Sequence, residues 1–127
     1  MKVLPTNIVL HQQSRFLEIA FSDGETFKLP CEYLRVHSPS AEVQGHGPGQ
    51  EVLQVGKESV NIVAIEPVGQ YAVKLVFDDG HNSGLYDWNL LYSLGANRFE
   101  NWQDYLNRLK QAGHTRTAQQ NDDLLKH

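Results

Sequence analysis

Phe21-Ser22-Asp23-Gly24 and Phe77-Asp78-Asp79-Gly80 stand 56 positions apart, and the match runs outward from both. On the same offset Leu17 falls on Val73, Ile19 on Leu75, Leu29 on Leu85 and Leu34 on Leu90. Phe16 to Phe21 alternates, with Leu17, Ile19 and Phe21 on one side and Phe16, Glu18 and Ala20 on the other, which is the period of a half-buried strand. An Asp-Gly pair then supplies the positive φ that a tight hairpin requires, and Thr26 to Leu29 returns as the partner strand. Strand, turn, strand and helical turn therefore recur in order. A lone hairpin buries too little apolar surface to be stable in water, so the two units are expected to share one core. A length of 127 residues leaves room for one such domain and excludes two full ones.

The remaining elements follow from pattern. Asn7 to Leu10 favours a strand, and Pro30 can open a helical turn carrying Tyr33, Leu34 and Val36 because its missing N–H is not needed there. Val60 to Pro67 is apolar on both faces, predicting a central strand that pairs antiparallel with Tyr71 to Phe77. Asp87 opens a helix with Trp88, Leu90, Leu91 and Leu94, which Gly95 is expected to stop as a C-cap. Asn97 is then placed to cap a second helix. From Phe99 to Ala112, residues Phe99, Trp102, Leu106 and Leu109, with Tyr105 beside them, recur at three- and four-residue steps and define one apolar face. The expected fold class is α+β: antiparallel β-hairpins from two pseudo-repeated units, short helices, and one C-terminal amphipathic helix. The domain is expected to span residues 1–113, and 114–127 to be a flexible polar tail.

Charge and cysteine usage narrow the function classes. A net charge of -4 has the wrong sign for general phosphate-backbone binding, so nucleic acid is not an expected partner. One cysteine, Cys31, excludes an internal disulfide framework. No apolar run approaches the ~20 residues of a membrane span, and Met1 to Pro5 is too short for a secretory signal. The expectation is a cytoplasmic protein away from the membrane. Gly45, Gly47 and Gly49 miss both phosphate-loop spacings, since positions 50 and 51 are Gln and Glu. Cys31 reads as a small buried residue at a strand–helix junction. The two tryptophans read as core, and Ser38-Pro39-Ser40 as a helix N-cap. No coherent set of acid, base and nucleophile emerges, so the chain is not expected to be an enzyme.

Polar residues nevertheless concentrate in the Ser38 to Gly56 loop and the second Asp-Gly turn. The candidate binding surface joins Arg35, His37, Ser38, Ser40 and His46 to Asp78, Asp79 and His81. Arg35 would offer a planar donor fork to a partner's carboxylate. In a competing reading His37, His46 and His81 hold iron or zinc, with aspartate oxygens available from the turn.

The segments Leu34-Arg35-Val36-His37-Ser38-Pro39-Ser40-Ala41-Glu42, Gly45-His46-Gly47 and Phe77-Asp78-Asp79-Gly80-His81 occur here in an order that resembles the gamma-butyrobetaine hydroxylase N-terminal-like domain family, across residues 7–113. In the hydroxylases this domain precedes a separate iron- and oxoglutarate-dependent catalytic domain, absent here, so the resemblance does not carry that activity over. Similar domains are fused to P-loop ATPases that carry iron–sulfur clusters. That implies an accessory role in cluster assembly, with such a carrier ATPase as protein partner. The resemblance also implies a zinc site of three cysteines and one histidine, whose positions fall on Ser38, Ser40, Val43 and His81. Serine and valine cannot replace thiolate for Zn²⁺, so that site is expected to be lost.

Overall fold

A computed structural model describes residues 2–126, leaving Met1 and His127 outside the description. Two three-stranded antiparallel sheets carry the duplication. The first orders β1 (Pro5–His11), β2 (Phe16–Phe21) and β3 (Thr26–Pro30), and the second orders β4 (Ile62–Val68), β5 (Ala72–Phe77) and β6 (Leu85–Asp87). Helix α1 (Cys31–Val36) follows the first sheet directly, and α2 (Ala41–Gln44) follows α1. Helices α3 (Trp88–Ala96) and α4 (Arg98–Gln111) follow the second sheet. The architecture is the expected α+β mixture.

The pseudo-repeat extends to irregularities that no composition would produce. Pro5 pairs with Phe21 and Asn7 with Ala20, leaving Thr6 in a bulge; Ile62 pairs with Phe77 and Ala64 with Val76, leaving Val63 in the equivalent bulge. Both turns close alike. Phe21 N–H donates to the Glu25 carbonyl and Gly24 N–H to the Phe21 carbonyl; Phe77 and Gly80 repeat the two bonds with His81 and Phe77. Gly24 and Gly80 have φ of 91° and 90°.

The buried face of β2 (Leu17, Ile19, Phe21) and that of β5 (Val73, Leu75, Phe77) join one core with Phe27, Leu29, Tyr86, Leu91, Trp102 and Leu109. Phe21, Phe27 and Tyr92 pack edge to face at centroid separations of 5.1 to 6.0 Å. Among the described residues no helix is long and apolar enough to cross a membrane.

Four sequence expectations are corrected. β4 is an edge strand, not a central one: among the described residues it pairs only with β5, and the bulge leaves Val63 half exposed. The middle positions belong to β2 and β5. Gly95 lies inside α3 rather than ending it, and its lack of a side chain serves packing: a Cβ there would stand 2.4 Å from the Phe27 ring. Asn97 makes no side-chain cap to α4 and instead donates to the Ser93 carbonyl at 3.1 Å. Residues 114–126 do not form a free tail. They return across the body, with a 3₁₀ turn over Gln120–Leu125, and bury Leu125. The polar composition concealed this because the segment is held chiefly by polar anchors.

Trp102 is core as expected, whereas Trp88 is only partly buried and donates its indole N–H to the Gln70 carbonyl. A Gly95→Ala substitution forces a methyl group against Phe27, and should cost about 1–3 kcal/mol in urea unfolding despite its better helix propensity.

Candidate functional site

The second Asp-Gly turn delivers Asp79 to a cluster with three other side chains. Arg35, reaching from α1 in the other unit, donates from Nε to Asp79 Oδ2 at 2.9 Å and from an Nη to Gln54 Oε1 at 3.0 Å. Lys57 Nζ lies 2.8 Å from the same carboxylate oxygen, while Oδ1 accepts the His81 backbone N–H. Partial burial works to raise the Asp79 pKa, but the donors from Lys57, the His81 amide and Arg35 outweigh it and hold the carboxyl at about 2. Arg35 is itself buried. Its fork therefore serves the interior, and it is not the surface donor that the sequence suggested.

A second chain of polar groups lies on the other side of the turn. Ser38 Oγ is 2.8 Å from His81 Nε2, and His81 Nδ1 is 2.8 Å from Glu42 Oε2. The Ser40 amide donates to Ser38 Oγ, and the Ser40 and Ser83 hydroxyls meet at 2.6 Å. The tautomer protonated on Nδ1 closes this network: Ser40 N–H to Ser38 Oγ, Ser38 O–H to Nε2, and Nδ1–H to the carboxylate. Ser40 also caps α2 by accepting the Glu42 N–H, which is the structural role expected for it.

Glu42, His81 and Ser38 follow the order of an acid, base and nucleophile chain. The enclosure prevents that use. Ser38 has no exposed surface, and a Cβ on Gly84 would stand 2.5 Å from its Oγ, so no carbonyl can approach. Only the Glu42 end reaches solvent. What the arrangement achieves is to fix α2 and the start of the glycine-rich loop against the second turn.

The other candidates are dispersed. Asp78 accepts the Asn61 N–H and donates its own N–H to the Asn61 carbonyl, tying the turn to the start of β4. His37 sits apart on the Tyr33 and Tyr105 rings, its Nδ1 2.9 Å from the Tyr33 carbonyl. Burial pushes its pKa below the usual value. His46 is exposed on the glycine-rich loop. His37, His46 and His81 are thus not gathered into a ligand set, and among the described residues no group of three or more His, Cys, Asp or Glu is arranged to hold a metal ion. At the four positions where the resemblance places zinc ligands, Ser38 and His81 are in hydrogen-bond contact and Val43 is buried. Cys31 is buried as expected, and desolvation raises its thiol to about 11, which leaves it a poor nucleophile.

Sequence reasoning missed Glu42, Gln54, Lys57 and Ser83. Glu42 follows Ser40 in a cap sequence and was readable only as helix chemistry. Gln54 and Lys57 lie in an irregular stretch with no period to point them anywhere.

The duplicated sheets and the polar turn define a small α+β domain of two interlocked hairpin units. The chain belongs to the family described as gamma-butyrobetaine hydroxylase-like, N-terminal, whose model matches residues 8–92. Two solved relatives, both NMR solution structures, are 54% and 50% identical, each with a TM-score of 0.77. They cover 91% and 92% of this chain and 86% and 92% of their own lengths, respectively. A crystal structure of a protein of unknown function from Acidithiobacillus ferrooxidans is 40% identical, with a TM-score of 0.61, over 72% of this chain and 92% of that one. No curated protein matches.

Two acid titrations check these environments, one in the cluster and one at His37. Because the folded Asp79 pKa is depressed to about 2 from an ordinary 3.8, its contribution is present above pH ~4 and disappears as pH falls toward 2. Asp79→Asn should cost about 1 kcal/mol at pH 7 by chemical unfolding, a deficit that vanishes near pH 2. His37 has a lowered folded pKa, so its contribution is present above pH ~6.5 and is lost on acidification. His37→Gln should accordingly flatten the decline in melting temperature between pH 7 and 5.

Proposed function

We propose that this chain is a non-enzymatic interaction module whose recognition surface is the loop that follows α2. The observation that supports it is a contrast along that loop. Gln54 and Lys57 are drawn into the Arg35–Asp79 cluster, while Val52 and Val55 between and beside them stand 53% and 41% exposed. An irregular segment held by buried charge, yet showing apolar side chains outward, has the make-up of a contact patch with a polar rim. His46 on the loop and the exposed carboxylate of Glu42 on α2 just before it would supply rim contacts.

The surface differs from the one read in the sequence. Arg35, Ser38 and His81 act beneath it as supports, and the partner meets the valines. The single cysteine and the absence of a long apolar run in the sequence direct the proposal to the cytoplasm, and the resemblance stated above directs it to an accessory role in iron–sulfur cluster handling with a carrier ATPase as partner.

Replacing Val52 and Val55 together by Glu should leave the melting temperature within about a degree or two, since both side chains are solvent-facing. The same change should remove more than ~90% of the partner captured from native extract by the unmodified protein, a loss of at least ~1.4 kcal/mol in binding. Undiminished capture by the folded double variant would refute the surface.

A further inference from the structure

We propose that the groove beneath the C-terminal segment is a docking site for an arginine-bearing peptide of a partner protein, and that residues 114–126 are its exchangeable resident occupant. The proposal rests on the interaction reading for the existence of a partner but uses a different surface, built from Glu32, Glu58, Trp102 and the carbonyls of Ser14 and Arg15.

The resident segment is attached as a docked peptide is. Past His114, none of its backbone N–H groups bonds to a backbone carbonyl of the body among the described residues; the backbone bonds it makes, Asp122 to Gln119 and Lys126 to Asp123, are internal. Side chains provide the attachment. Arg116 donates to both oxygens of Glu32, at 2.7 and 2.6 Å, and its guanidinium lies 4.7 Å from the Trp102 ring centroid. Thr117 N–H reaches Glu58 Oε2 at 3.1 Å, Asn121 donates to the Ser14 and Arg15 carbonyls, and Arg98 grips the Leu124 carbonyl at 3.1 Å.

The body's half of this interface carries a definite chemistry. Two carboxylates and the Ser14 carbonyl, with the Arg15 carbonyl shared between the Cys31 N–H and Asn121, make a receptor for N–H donors and positive charge, and an aromatic face beside them suits a guanidinium plane. Arg15 holds its carbonyl in place at φ 59°, a conformation rare for a residue with a side chain. A polar cavity of about 170 Å³ remains between the segment and the groove wall, lined by Gln13, Arg15, Glu32 and Glu58 among others. The resident segment thus leaves room that a partner could fill. Gly113, at φ 78°, ends α4 and provides the point about which the segment can leave.

The matching ligand carries an arginine and, nine residues further on, a leucine in a 3₁₀ or helical turn, as Arg116 and Leu125 do here. A tethered occupant competes at an effective concentration near millimolar, so a partner peptide gains access when it is the better ligand or when the tether is loosened.

The test uses the full chain carrying Arg116→Ala and, as probe, a labelled synthetic peptide of residues 114–127. The variant should bind the probe saturably with a change in Trp102 fluorescence. A probe with its own arginine replaced by alanine should bind at least ~10-fold more weakly, and the unmodified chain should bind the intact probe ~100-fold more weakly because of the tether. If Arg116→Ala does not fold, the unmodified chain is cleaved after folding at a protease site inserted beyond Gly113, and exchange of the released segment for the probe is followed instead. Failure of a folded variant to bind, indifference to the probe's arginine, or collapse of the body when the cleaved segment departs would each overturn the proposal. Val52→Glu with Val55→Glu should leave probe binding unchanged, which separates failure here from failure of the loop surface.

Discussion

Each hairpin unit is held in place by a side chain from the other, and this crossing is the constraint on which the rest of the molecule depends. Arg35 of the first unit bonds to Asp79 in the second turn, and Tyr92 of the second unit donates to Asp23 in the first. Two buried tyrosines repeat the exchange deeper in the core: Tyr33 donates to the Leu94 carbonyl at 2.5 Å, and Tyr86 to the Leu34 carbonyl at 2.6 Å. A phenolic hydroxyl left unpaired in such surroundings would cost several kcal/mol. Burial accordingly lifts the Tyr33 phenol to about 12 and that of Tyr86 still higher, so both remain donors at any physiological pH. The helices then have one seating on the sheets, because sliding either of them strands a hydroxyl.

That constraint explains which parts of the fold were legible beforehand. The offset between the units is visible because both buried strands must place three apolar residues on one face and end in the same positive-φ turn. Such requirements leave a trace at fixed spacing. The position of β4 in its sheet left none: Val60 to Pro67 is apolar enough for a center, and its place at the edge, beside β5 alone, is a property of pairing rather than composition. Gly95 misled for a related reason. A glycine near a helix end reads as a cap, and its function here is to admit an aromatic ring from β3, a contact between residues 68 positions apart in sequence.

The candidate site was half legible for similar reasons. Its turn residues were visible because Asp-Gly turns have a signature, and they do sit at the center of the polar network. Their role differs from the one expected. Ser38, His81 and Arg35 turned out to be enclosed, since polar groups that satisfy one another in a confined space stabilise a backbone and leave nothing free for a ligand. The groups able to meet another molecule come from segments whose partners are scattered along the chain, and no local pattern marks them.

Glu32 is the acidic exception among these enclosed groups. Burial raises its pKa even with Arg116 in contact, whereas Arg116 is raised in the direction of its charged form. Removing Arg116 would therefore leave a buried carboxylate next to Glu58 and Asp122 with no cation to offset them, a loss of ~3–5 kcal/mol when one member of such a pair is deleted. A domain that needed only a stable core would do as well with an apolar pair at this point. A carboxylate is the better choice where the opposite charge arrives on a segment that can also leave, because the unmet charge then favors whichever arginine is at hand over an empty groove.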